Sequence, residues 1–62
     1  MKVHELITLF ALSTIVNIDG VKIPVDVLLK DNKPELNYTI DLIRATGDNT
    51  IYIHTKEGLN ND

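Results

Sequence analysis

The sequence predicts an α+β domain, one N-terminal helix packed on an antiparallel sheet of about four strands made of two hairpins. Three observations carry this expectation. Val3, Leu6, Ile7 and Phe10 recur at the spacing of one helix face. Asp19-Gly20 separates two β-branched runs as a two-residue hairpin turn. A second pair of alternating runs flanks Thr46-Gly47-Asp48-Asn49.

The helix is expected over residues 3–12, with His4, Glu5 and Thr8 on its polar side. Leu9 and Leu12 fall off the main stripe, so they either widen the buried surface or offer a second contact to a partner. After Ser13 and Thr14 the apolar period changes from about 3.6 to 2, the signature of strands.

The first hairpin is the clearest local signal. A two-residue loop of the primed type needs positive φ at both central residues, which Gly accepts freely and Asp better than most. That loop sets Ile18 opposite Val21, Val16 opposite Ile23 and Thr14 opposite Val25, giving one apolar face that must be covered. The main-chain groups of Val21, Ile23 and Val25 then point at the first strand, so the absent N–H of Pro24 falls on the outer side and disfavours a neighbour there.

Residues 25–30 continue as strand-like sequence, and residues 31–35 form a polar turn cluster. Residues 36–45 have two readings. Leu36, Tyr38, Ile40 and Leu42 alternate with polar residues, as in a half-buried strand; Leu36, Ile40 and Ile43 also share helical spacing after Asn32, Pro34 and Glu35. Tyr, Thr and Ile content and a ready partner in residues 50–56 favour the strand. Pairing through the four-residue loop sets Leu42 near Ile53, Arg44 near Ile51, Asp41 opposite His54 and Ile43 opposite Tyr52. Residues 1–56 thus form a single domain, followed by a flexible C-terminal tail at 57–62.

With 62 residues, such a domain buries only roughly 60% of its unfolded surface. There is no cysteine to staple the core, and the two histidines have no neighbouring ligands. A homo-oligomer, with a dimer favoured, is the remaining common remedy. Six Lys/Arg against nine Asp/Glu leave a net charge of −3, which argues against a nucleic-acid partner and suits ordinary solubility. The apolar stretch near the N-terminus is shorter than the roughly 20 residues of a membrane helix. His4 and Glu5 interrupt a signal-peptide reading, so no membrane association and a cytoplasmic location are expected. Without secretion the acceptor pattern Asn37-Tyr38-Thr39 carries no weight.

Chemistry is sparse. Asp41 and His54 form the one acid–imidazole pair in the expected register, but it lacks a nucleophile and reads as a cross-strand charge pair. Gly20, Gly47 and Gly58 are too far apart to cradle a phosphate, and Asp19, Asp31 and Asp48 read as turn formers. Tyr38 and Tyr52 are expected on opposite faces, and His4 beside Glu5 lacks a third ligand. No catalytic residue, cofactor or metal is expected, and the protein is read as a non-enzyme.

The opening Met1-Lys2-Val3-His4-Glu5-Leu6-Ile7 resembles the start of many small proteins of bacteriophages and prophages of low-GC bacteria, over these seven residues. The resemblance implies a cytoplasmic accessory protein that engages a host or phage protein, and it assigns no catalytic residue. The functional expectation is a small protein-interaction module, self-associating through an apolar surface or sheet edge, with Leu9, Leu12, Val27, Leu29 and Tyr52 as contacts. The alternative is a nucleic-acid-associated regulator in which Lys22, Lys30, Lys33 and Arg44 form a basic stripe across a dimer.

Overall fold

The computed structural model describes residues 1–59. Helix α1 spans Val3–Ile7, β1 Ile15–Ile18, β2 Val21–Pro24, α2 Val25–Lys30, β3 Ile40–Ala45, β4 Thr50–Thr55 and α3 Lys56–Leu59; a 3₁₀ turn occupies Pro34–Asn37. The strands form one sheet in the order β2-β1-β4-β3. The α+β class, the N-terminal helix, the four strands and both hairpins are as the sequence predicts.

α1 is shorter than expected. Lys2 N–H donates to Glu5 Oε1 (2.8 Å) at its start. Thr8 Oγ1 donates to the Glu5 carbonyl, and Leu9 and Phe10 N–H turn back to the carbonyls of Leu6 and Ile7. A hydroxyl competing for a helix carbonyl and i→i+3 bonding both tighten and end a helix. Phe10 nonetheless packs against the core.

The first hairpin adopts the expected register, Ile18 with Val21 and Val16 with Ile23. Asp19 and Gly20 take φ of 52° and 95°, the paired positive values such a turn requires. β2 is an edge strand, and immediately after Pro24 the chain leaves the sheet.

Residues 25–30, expected as strand, form α2. Val25 and Asp26 N–H donate to the carbonyls of Thr14 and Leu12, tethering the first turn, while Val25 and Leu28 enter the core at i, i+3 spacing. Asp26 in the first turn and Lys30 in the last complement the helix dipole. Asn32, with φ of 49°, closes the helix, and Lys33 N–H reaches back to the Leu28 carbonyl. An unbroken apolar run such as Val27-Leu28-Leu29 fits buried helix or strand equally by periodicity.

The ambiguous segment divides. Leu36 is buried from the 3₁₀ turn, and strand structure begins at Ile40. β3 pairs with β4 one residue away from the expected register: Leu42 faces His54, Ile43 faces Ile53, Arg44 faces Tyr52 and Ala45 faces Ile51. A shift between Ile40 and Leu42 leaves Asp41 out of register, so the expected Asp41–His54 pair does not form.

The two hairpins meet through β1 and β4, and there the pairing is parallel, so the sheet is mixed rather than wholly antiparallel. Ile15 N–H donates to the Asn49 carbonyl at one end of this pair, and Asp19 N–H to the Ile53 carbonyl at the other. Val3 and Ile7 of α1, Val25 and Leu28 of α2, and Leu36 cover a single sheet face, on which Val16, Ile18, Ile23 and Ile53 are buried. Where a tail is expected, α3 continues from β4, and Glu57 accepts bonds from the N–H and Oγ1 of Thr39. The remainder of that expected tail, 60–62, lies outside the described residues.

Candidate functional site

Side chains alternate across a strand, so the register assigns every sheet residue to one of two faces. Val16, Ile18, Ile51 and Ile53 face the helices. Ile15, Asn17, Lys22, Tyr52, His54, Leu42 and Arg44 face the other way. None of the latter belongs to the core cluster or packs against it. Ile15, Asn17, Tyr52 and His54 are half-buried among themselves, whereas Lys22, Leu42 and Arg44 are exposed. The Arg44 guanidinium lies over the Tyr52 ring, 5.8 Å from its centroid.

β3 is the other edge strand. Met1 covers its beginning, through Ile40 N–H to the Met1 carbonyl (2.8 Å) and a bridge between Lys2 and Thr39. From Asp41 to Ala45 every residue is exposed. Adjacent strand residues point to opposite faces, so Leu42 and Ile43, 56% and 42% exposed, make both sides of this edge apolar.

A third feature is a cleft of about 250 Å³ between the β1–β2 turn, the 3₁₀ turn and α3, lined by Asp19, Glu35, Tyr38 and Glu57 with Ile18, Val21 and Gly58. Two of its carboxylates are engaged in holding the fold. Asp19 accepts from Thr55 N–H (2.9 Å) and Thr55 Oγ1 (2.6 Å), and Thr55 Oγ1 accepts from Gly58 N–H (2.9 Å). Glu57 is bonded to Thr39, whose backbone N–H holds its carboxyl below the ordinary value. Among the described residues, Glu35 Oε1 is buried with no hydrogen-bond partner. Among the described residues no three His, Asp or Glu side chains gather as metal ligands, and no helix is long and apolar enough to cross a membrane.

The residues named from sequence are dispersed. Leu9 and Leu12 lie in the connection after α1, 76% and 60% exposed. Leu29 is exposed on α2, Val27 packs against the core, and Tyr52 stands on the uncovered sheet face. Of the four basic residues of the alternative stripe, Lys22 and Arg44 share the uncovered face, whereas Lys30 ends α2 and Lys33 precedes the 3₁₀ turn. The β3 edge was missed, although the adjacent Leu42-Ile43 pair signals it: one of two successive apolar strand residues must face away from the core. Compared with protein-family models, curated proteins and solved structures, the chain matches none of them.

Proposed function

We propose that this protein is a small non-enzymatic interaction module that self-associates by strand addition at β3. The observation that carries the reading is the open edge beyond Asp41, exposed on both faces and flanked by Leu42 and Ile43. An unpaired strand edge offers a row of N–H and C=O groups to another strand, and soluble proteins ordinarily blunt such edges with charge, proline or cover. β2 has Pro24; β3 has Arg44 and the bulge at Asp41, yet keeps its apolar pair.

Antiparallel pairing of two β3 strands about a two-fold axis normal to the sheet keeps the faces continuous, so residues whose numbers sum to an even value stand opposite. Centring on Ile43 sets Ile43 against its symmetry mate on the helical side and Leu42 against the Arg44 stem on the other. Centring on Leu42 instead opposes Ile43 to Asp41, a poorer match. The resemblance of the opening heptapeptide to phage and prophage proteins fits a cytoplasmic accessory role built on such an assembly.

Light scattering across a concentration series tests the proposal. The expected result is a dimer that Ile43→Lys converts to a folded monomer; a wild-type monomer throughout, or an unchanged dimer in the variant, overturns it.

A further inference from the structure

The face of the sheet turned away from the helices carries a row that crosses all four strands: Lys22 on β2, Asn17 on β1, Tyr52 on β4 and Arg44 on β3 are successive register partners. In a chain of net charge −3, no Asp or Glu occupies a registered strand position on this face; Asp41 lies out of register in the edge-strand bulge. Lys22 and Arg44 are thus the formal charges at the registered positions of this face, whereas the helices on the other side mix Glu5, Asp26 and Glu57 with Lys30 and Lys56. The row places a cation at each end and an aromatic ring between them, with the Arg44 guanidinium over the Tyr52 ring, 5.8 Å from its centroid. Three strand spacings make it roughly 15 Å long, the length of about four stacked nucleotides.

We propose that this uncovered face binds single-stranded nucleic acid, a base stacking on Tyr52 while phosphates meet Lys22 and Arg44. An anionic partner follows from the charge of the row, and the aromatic platform favours bases, each with an aromatic π-face, over an acidic peptide, whose Asp and Glu side chains carry no aromatic ring. Duplexes are not the expected ligand, because a flat sheet face stacks bases only when they are unpaired. The site exists on a single copy and does not depend on association at β3.

Fluorescence anisotropy with labelled oligouridine and oligothymidine of about ten nucleotides tests it, one ligand reporting ribose and the other deoxyribose binding. The expected result is saturable binding to at least one of them with Kd on the order of 10⁻⁵ M. Two phosphate contacts predict a loss of about sevenfold between about 50 and 200 mM salt. Tyr52→Ala should weaken binding by at least about fivefold while Tyr52→Phe retains it, and Lys22→Glu with Arg44→Glu should abolish it, all in variants whose circular dichroism matches wild type. Absence of saturable binding to both oligonucleotides, displacement by polyglutamate as effective as by unlabelled oligonucleotide, or wild-type binding by folded Tyr52→Ala overturns the proposal.

Discussion

Gly58→Ala is expected to destabilise the fold although it exchanges a poor helix former for the best. A Cβ at this position would collide with the Asp19 carboxylate, the farthest of the three atoms it meets, Oδ1, lying only 2.7 Å away. Asp19 cannot yield without surrendering its bonds to Thr55 N–H and Thr55 Oγ1, at 2.9 and 2.6 Å. Hydrogen bonds to a charged group are worth about 1.5–3 kcal/mol. Losing one, against the ~1 kcal/mol that Ala gains over Gly in a helix, leaves a net cost of about 0.5–2 kcal/mol. For a domain this small that lowers Tm by roughly 2–16 °C, readable by thermal circular dichroism. In an Asp19→Ala background the obstacle is gone, and the same glycine substitution should become neutral or stabilising. A Gly58→Ala variant as stable as wild type, or an equal cost in both backgrounds, would refute the clamp.

Ile53→Ala opens a cavity beside Val16 and Ile18 in the core cluster and should cost about 2–5 kcal/mol, much of the roughly 3–9 kcal/mol available to a chain of this size; urea denaturation should show a variant partly unfolded before denaturant is added. Glu5 and Glu57 are held below their ordinary value of 4.5, chiefly by the backbone N–H groups of Lys2 and Thr39. Because the folded carboxyls are the more acidic, their contribution is complete above about pH 4.5 and is lost as pH falls through the folded values. Denaturation midpoints should therefore fall on acidification below that point, and fall less in Glu5→Gln/Glu57→Gln. Leu42→Lys places a charge on the open edge at an exposed position outside the core cluster, so monomer stability should change by less than about 0.5 kcal/mol while association weakens, as sedimentation velocity would show.

Turn chemistry made the first hairpin legible to the residue. Asp19-Gly20 dictates both the loop length and the register, and the absent N–H of Pro24 disfavours a neighbour beside β2, which stands at an edge of the sheet. The second hairpin was legible as an element but not in register, since a four-residue loop containing Gly47 fixes pairing less strictly, and a slip of one residue exchanges the faces. That slip decides the surface chemistry, because it puts Arg44 beside Tyr52 and removes Asp41 from His54. α2 was hidden by an apolar run without period, and its start depends on carbonyls of Leu12 and Thr14 in a preceding segment. The parallel meeting of β1 and β4 has no local signal. It rests partly on a second role for Asp19, whose backbone N–H and carboxylate bind Ile53 and Thr55 far along the chain.

Hydrogen exchange of the Leu42–Ala45 amides as a function of protein concentration tests the strand-addition reading most directly. Outward-pointing amides of β3 should exchange rapidly in dilute solution and become protected as concentration rises, while Ile53 in β4 stays protected throughout. Exchange at β3 that is rapid and independent of concentration would contradict it.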